Sequence, residues 1–377
     1  MHPVCLPLSC EKVSVCAGVC LVLHIPLLAL LKLILRKNNS GVWSTRHTSS
    51  QTNTFAHDTA PTTAASTATT ALVISAAAIE LQPPEPQAGN MAELSEFTYD
   101  PKTFSVTPAM KEAFKTNGYV IIRQVLNPEE MRKVNQMLES PEVQRHAYTT
   151  ADEQMRQTRM VLWFKVGEDV AGCVASMNKI AGTIEQLMDG DEVYHFSTKI
   201  LMKEANQSGS FLWHQDYGYF YNWGYMYPDC ASIFLAVDDC TKANGCLEVL
   251  RGSHRMGRIH HEPAGKQLQA DLERVEEAKK LHEHLYMEMK AGDILYFTGN
   301  LLHRSLPNTT NKRRWSYVIA YNQKHNRTYM GPEHPRYTPH AGFVPLKKVS
   351  DSALLECQKF SMDDQWFLKE DEDKARE

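Results

Sequence analysis

The order of secondary-structure signals from Glu93 onward limits the folds open to this 377-residue chain. Helix-forming segments come first, and short apolar strands dominate after about residue 190. The chain lacks the regular alternation of strands and helices that builds a parallel α/β sheet. The pattern therefore predicts a mainly β fold with flanking helices (α+β), built on a double-stranded β-helix, a cupin-like jelly roll.

Three helices are predicted before the main run of strands. The first covers Pro108–Thr116 and stops at Gly118, because glycine is the usual residue after a helix end. The second covers Asn127–Leu138, where asparagine followed by proline supplies the N-cap and the first helical position. The third is expected over Ala175–Met188 from its apolar periodicity.

One apolar strand, Tyr119–Ile122, is predicted between the first two helices, and the other strands are predicted from short apolar runs that come after the third helix. They are expected at about Tyr194–Lys203, Ser232–Val237, Cys246–Leu250, Ile294–Phe297 and Trp315–Tyr321. Between them, the charged segment Gln267–Leu285 is expected to form a long helix.

Composition divides the chain into four zones. Residues 1–38 form a candidate signal anchor or transmembrane segment, 39–92 a disordered linker, 93–335 the globular domain and 336–377 a C-terminal extension. The linker is Ser, Thr or Ala at 25 of 41 positions between residues 39 and 79, which is too polar to build a core.

The apolar run at residues 13–35 is close to the length that a membrane-spanning helix needs. Lys32, Arg36 and Lys37 near its end favour a cytosolic location for the residues C-terminal to the run. This predicts a cytoplasmic globular domain that is anchored by its N-terminus and associates with a membrane through residues 13–35. The alternative is that everything before Met91 is an optional extension.

The charge of the chain argues against nucleic acid as a partner. Residues 91–377 carry 35 basic and 40 acidic side chains, whereas phosphate binding requires a basic surface. The nine cysteines include no CxxC pair, so we expect free thiols in a reducing compartment. A small-molecule substrate is the expected partner, and the sequence does not indicate an oligomeric state.

The segment Trp213-His214-Gln215-Asp216 carries the strongest chemical signal. Residues two apart in a strand point to the same face, so His214 and Asp216 are expected to converge. An imidazole and a carboxylate are two of the three ligands in a 2-His-1-carboxylate triad, which leaves positions on iron(II) open.

Two later residues complete the pattern. His303 follows the turn and strand Gly292–Phe297 and offers the second imidazole. Arg314 stands eleven residues beyond His303, at the start of a strand whose alternation places it on one face with Ser316, Val318 and Ala320. An arginine above such small residues can hold a dicarboxylate through paired hydrogen bonds.

The order HQD, NGCLEVLRGSH, GDILYFTGNLLHRS and KRRWSYVIAYN, over about residues 105–326, resembles the phytanoyl-CoA dioxygenase family of iron(II)/2-oxoglutarate oxygenases. The sequences WHQDY and YNQKHN look most like the branch that hydroxylates proline and ectoine. The resemblance implies a dioxygenase that hydroxylates a C–H bond of a small, amino-acid-like substrate and releases succinate and CO2. Its cofactors would be Fe(II), 2-oxoglutarate and O2, with ascorbate as an optional reductant.

The resemblance also assigns site residues. It implies metal ligation by His214, Asp216 and His303, and 2-oxoglutarate binding by Arg314 with help from Ser305. Lys203, eleven residues before His214, matches a lysine near the co-substrate. Two positions depart from the pattern: Leu201 replaces an asparagine, which leaves the substrate open, and Arg251 replaces a proline in a turn.

The aromatic run after Asp216 is a candidate substrate wall, formed by Tyr217, Tyr219, Phe220 and Trp223. The alternative is that these rings are core. The remaining histidines are expected to be structural: His254, His260, His261, His282 and His284.

Two other functions stay open. One is a hydroxylase of a lipid or acyl-CoA, supported by the segment at residues 13–35; deletion of residues 1–90 would then remove access to the substrate. The other is a non-catalytic metal-binding sensor, which predicts a broken triad or a missing arginine, and neither is observed.

Overall fold

The computed structural model describes residues 95–206, 208–334, 343–362 and 367–368. The predicted anchor at residues 1–38 and the linker at residues 39–92 lie outside the described residues. Within the described part of the chain, no helix is both long and apolar enough to cross a membrane.

Among the described residues, five short helices precede the main run of strands that begins at residue 193, and three follow its start. They are α1 (Pro108–Asn117), α2 (Pro128–Leu138), α3 (Pro141–Gln144), α4 (Val170–Ser176), α5 (Thr183–Leu187), α6 (Asp216–Asn222), α7 (Leu272–Leu281) and α8 (Ala353–Glu356).

Local sequence explains the first two helices. Gly118 ends α1 with φ 82°, a left-handed conformation that glycine adopts without strain. The side chain of Asn127 caps α2 by accepting hydrogen bonds from the N–H groups of Glu129 and Glu130. Both predicted helices are confirmed.

The strands of the described residues pair into a major sheet, a minor sheet and a hairpin. They are β1 (Glu96–Thr98), β2 (Tyr119–Arg123), β3 (Tyr148–Ala151), β4 (Gln157–Trp163), β5 (Val193–Lys203), β6 (Phe211–His214), β7 (Cys230–Ala236), β8 (Leu247–Leu250), β9 (His261–Ala264), β10 (Gln267–Ala270), β11 (His284–Met287), β12 (Ile294–Thr298), β13 (His303–Ser305) and β14 (Arg314–Gln323).

The major sheet has the order β1-β2-β12-β7-β14-β5-β4-β3, the minor sheet β11-β8-β13-β6, and β9 pairs with β10. Among these described strands, neighbours run antiparallel except β1 and β2. Apolar side chains from both larger sheets, among them Phe234 and Phe297 of the major sheet and Val249 of the minor sheet, form one shared core. This is the predicted jelly roll, mainly β with flanking helices.

A second core covers the other face of the major sheet. Trp315, Tyr317, Ile319 and Tyr321 of β14 lie in it together with apolar side chains from α1, α2 and α4. The alternation predicted for β14 is therefore confirmed, and it turns Arg314 and Val318 toward the space between the sheets.

Two helix predictions were wrong because tertiary pairing overrides local preference. Within Ala175–Met188, Met177 is extended (ψ 137°) and forms a parallel bridge with Val349, so α4 ends and a π-helical turn, Asn178–Gly182, precedes α5. Gln267–Leu285 is divided into β10, α7 and β11, since its two ends pair with β9 and β8.

Candidate active site

Strand register places the two histidines of the predicted triad side by side. His214 ends β6 and His303 begins β13, and the two are directly opposite in the antiparallel pair. Their ring centroids lie 4.1 Å apart.

Asp216 reaches the same point by a different route from the one predicted. The strand ends at His214, Gln215 is extended, and Asp216 is the first residue of α6. The turn into the helix, and not strand alternation through Asp216, aims its carboxylate at the histidines. Oδ1 lies 3.8 Å from Nε2 of His214 and 3.9 Å from Nε2 of His303.

Backbone carbonyls fix the orientation of both rings. Nδ1 of His214 lies 2.7 Å from the Leu212 oxygen, and Nδ1 of His303 lies 2.9 Å from the Leu301 oxygen. A carbonyl oxygen only accepts, so both Nδ1 atoms donate, and both Nε2 atoms keep a free lone pair. The three ligand atoms lie within 4.8 Å of one another, as a metal centre requires.

The protonation states also suit a cation. Burial, and for His214 the neighbouring His303, lowers the pKa of both imidazoles. Burial alone would raise the pKa of Asp216, but the neighbouring His303, Lys199 and His214 and a hydrogen bond from Ser232 (2.5 Å) hold it below its ordinary value. Two neutral imidazoles and a carboxylate form the donor set of facial-triad iron sites.

Buried residues behind the triad hold the backbone that carries it, a role that the sequence did not predict for them. The Gln215 N–H donates to Nε2 of His261 (2.9 Å), and Nδ1 of His261 donates to the Ile259 oxygen (2.9 Å). Burial lowers the pKa of His261 to about 4. A Cβ on Gly218 would lie 2.4 Å from the His261 ring, so glycine is needed at this close approach.

The triad lies on a cavity of about 130 Å³ between the two sheets. Arg314 lies on its wall, 1% exposed. It donates from Nη1 to Ser316 Oγ (3.1 Å) and from Nη2 to the Gly245 oxygen (2.6 Å). Within the described residues, Nε of Arg314 has no hydrogen-bond partner and no carboxylate forms a salt bridge with its guanidinium. A buried cation without a counter-ion is costly, so this site fits an anionic ligand.

Ser305 and Lys203 differ in their relation to the cavity. Ser305 is buried and lines it. Lys203 is fully buried outside the lining, and its ammonium donates to the carbonyl oxygens of Gly209, Ser305 and Leu306. These bonds use all three of its donors, so the predicted direct role in co-substrate binding is corrected to a structural one.

Lys199 is a cavity residue that the sequence did not single out. It is half-buried, lines the cavity beside the triad and contributes to the low pKa of Asp216. Among the described residues, its ammonium has no hydrogen-bond or ion-pair partner, and Asp216 is the only carboxylate on the cavity lining. The available signal was strand alternation: Lys199 is two residues before Leu201 on β5, and both side chains line the cavity.

The candidate aromatic wall divides into two groups. Tyr219 and Trp223 line the cavity, and the Tyr219 ring packs edge-on against His214. Tyr217 and Phe220 are buried away from it, in a cluster with Phe196. Tyr217 and Phe220 therefore do not line the cavity as predicted, because their rings pack into the core beside Phe196; Trp223 contacts both the cavity and this core, since its ring also stacks on Phe196 and Phe220.

Sequence comparison finds relatives that are oxygenases. The chain is 27% identical to L-proline trans-4-hydroxylase from Streptomyces griseoviridis, over 61% of this chain and 90% of that protein. It is 24% identical to ectoine dioxygenase from Sphingopyxis alaskensis, over 70% of this chain and 91% of that protein. These relatives identify the chain as an Fe(II)/2-oxoglutarate-dependent dioxygenase.

The fold is also found in solved structures. EctD from S. alaskensis, crystallised with 2-oxoglutarate and 5-hydroxyectoine, superposes with a TM-score of 0.55 at 20% identity, over 66% of this chain and 90% of that one. The family model described as phytanoyl-CoA dioxygenase (PhyH) matches residues 114–316. This chain belongs to the phytanoyl-CoA dioxygenase family.

Proposed function

We propose that the protein hydroxylates a C–H bond of a small amino-acid-like substrate that carries a carboxylate, with consumption of 2-oxoglutarate and O2 and release of succinate and CO2. The observation that carries the proposal is the joint presence of the convergent triad and a buried guanidinium without a counter-ion. Bound iron would supply the activation of O2 for oxidative decarboxylation and hydroxylation.

The residues have separate roles in this proposal. His214, Asp216 and His303 hold the metal, and Ser232 orients the carboxylate of Asp216. Arg314 binds the distal carboxylate of 2-oxoglutarate, and Ser305 lies on the same wall. The apolar surface around them limits water near the reacting atoms.

Lys199 supports the choice of a carboxylate-bearing substrate. In the β5–β14 pair, Arg314 is opposite Lys203 and Val318 is opposite Lys199. Arg314 and Lys199, two of the cationic residues on the cavity lining, are thus four strand positions apart, about 13 Å along the strand direction. This separation leaves Lys199 for an anionic group of a second ligand. L-Proline, named for the S. griseoviridis relative, carries such a group.

The test is a substrate screen with the full chain, Fe(II), 2-oxoglutarate and ascorbate. Amino acids, betaines and acyl-CoAs are compared for substrate-dependent succinate release, with Asp216→Ala as the inactive control. We expect stimulation by one or more amino-acid-like carboxylates and none by acyl-CoAs. Stimulation by acyl-CoAs alone, or equal succinate release from Asp216→Ala, would contradict the proposal.

A further inference from the structure

The cavity wall on the side of β3 and β4 carries an apolar patch. The side chains that line it also form one packed cluster: Tyr148, Met160, Leu162, Phe164, Leu201 and Leu368. The first five belong to or directly follow β3, β4 and β5. Leu368 belongs to the C-terminal extension, more than fifty residues beyond the end of the family match at residue 316.

Several contacts fix Leu368 in this wall. Its N–H donates to the Leu162 oxygen (2.9 Å), and the side chain is buried. The preceding residue, Phe367, forms an isolated antiparallel β-bridge with Trp163. Its ring stacks on that of His146, with the two ring centroids 3.8 Å apart and the planes within 3°. Earlier in the extension, the Met362 N–H donates to Glu142 Oε1 (2.7 Å).

Leu368 lies next to the place where a substrate would be held. Leu162, its hydrogen-bond partner, is directly opposite Lys199 in the β4–β5 pair. A substrate whose carboxylate binds Lys199 would therefore direct its remaining atoms between the metal ligands and this apolar cluster.

We propose that Leu368 is a specificity-determining residue, which sets the size of the apolar body that a carboxylate substrate can carry. The proposal rests on the function proposed above. It identifies the substrate class as a carboxylic acid with an aliphatic or alicyclic body. A wall supplied from outside the matched region would give this chain a size limit different from that of family members that lack the extension.

The experiment compares Leu368→Ala and Leu368→Phe with the wild-type full chain. The probes are straight-chain L-2-amino acids from alanine to norleucine, with L-proline and L-pipecolate, and the readout is kcat/KM from substrate-dependent succinate release. A methylene group in an apolar pocket changes selectivity by about tenfold or more. We expect Leu368→Ala to shift the preference toward larger probes by about tenfold and Leu368→Phe to shift it toward smaller ones, with the KM for 2-oxoglutarate unchanged.

The matched control is Leu354→Ala, which removes the same atoms from a fully buried leucine of the extension that packs in the other core. It should lower the melting temperature without changing the preference. An unchanged preference in both Leu368 variants, or an equal shift in Leu354→Ala, overturns the inference. Wild-type enzyme that releases no succinate with any probe or with the wider screen overturns the proposed function itself.

Discussion

Arg314 and Lys203 are opposite each other on neighbouring strands, and their buried charges are satisfied in different ways. Lys203 gives its three hydrogens to backbone carbonyls, so it ties β5 to the segments around Gly209 and Leu306. Arg314 keeps an unused Nε donor. A bound carboxylate would therefore supply a counter-ion and a hydrogen-bond acceptor to Arg314, whereas the hydrogen bonds of Lys203 would not change.

This difference predicts the effect of Arg314→Ala. We expect the KM for 2-oxoglutarate to rise about a hundredfold, since a charge-assisted bidentate contact contributes a few kcal/mol. The KM for the prime substrate should change little. Steady-state kinetics with each substrate varied in turn measures both values.

Arg313→Ala is the control from the same strand end. Arg313 forms ion pairs with Glu139 and Asp238 on the outer face, so its loss affects stability and not the co-substrate. An equal rise in both KM values for Arg314→Ala would instead indicate a general loss of structure.

Lys199→Met should raise the KM for the prime substrate and not that for 2-oxoglutarate, the reverse of Arg314→Ala. The substitution keeps the length of the side chain and removes its charge, so we expect the KM for a carboxylate substrate to rise about 10- to 100-fold. The KM for 2-oxoglutarate should stay within about twofold. Lys165→Met, at an exposed position after β4, is the matched control. A rise in the 2-oxoglutarate KM alone would assign Lys199 to the co-substrate.

At the scale of elements, the transition from β6 to α6 determines the site. It places His214 at a strand end, Asp216 at a helix start, Tyr219 on the helix face toward the cavity and Trp223 directly after the helix on the same cavity wall. The opposite face of α6 packs with Phe196. One short helix therefore contributes a metal ligand, a wall and a core contact.

Substitutions on the two faces of α6 should give different results. Tyr219→Ala or Trp223→Ala should uncouple the reaction, so that succinate exceeds hydroxylated product, because water gains access to the reacting atoms. Phe220→Ala should instead lower the melting temperature, by about 3–5 kcal/mol of unfolding free energy, with the product ratio unchanged. An unchanged ratio for Tyr219→Ala with a large drop in stability would assign Tyr219 to the core.

The sequence predicted elements well where local signals act alone. The capping pattern of α2 and the alternation of β14 needed no tertiary information. The helix start at Asp216 was missed because its extended neighbour Gln215 is held by His261, 46 residues away. The roles of Lys199 and Leu368 depend on sheet register and on a chain end that packs beside β4, and neither is encoded within a local window.

At the scale of the whole molecule, buried neutral histidines predict acid sensitivity. Burial lowers the pKa of His195 to about 3 and that of His261 to about 4, whereas an unfolded histidine titrates near 6.5. Between these values the unfolded state binds more protons, so the free energy of unfolding should fall as pH drops from about 6.5 to about 4. Above about pH 6.5 this contribution is constant.

Denaturant unfolding of metal-free protein across this pH range measures the effect. His261→Gln should be less stable than wild type at pH 7.5 and should show a smaller loss between pH 6.5 and 4. If the two proteins lose stability in parallel, His261 is not one of the groups responsible.

The position of β14 in the major sheet has a consequence for synthesis in the cell. Within the described residues it is the last strand in the chain, yet it lies between β5 and β7. During translation, β5 emerges about 120 residues before its partner is complete, an interval of roughly ten seconds at ordinary elongation rates. Nascent chains therefore expose apolar strands for that time, and a chain terminated before Arg314 is expected to aggregate or to be retained by chaperones.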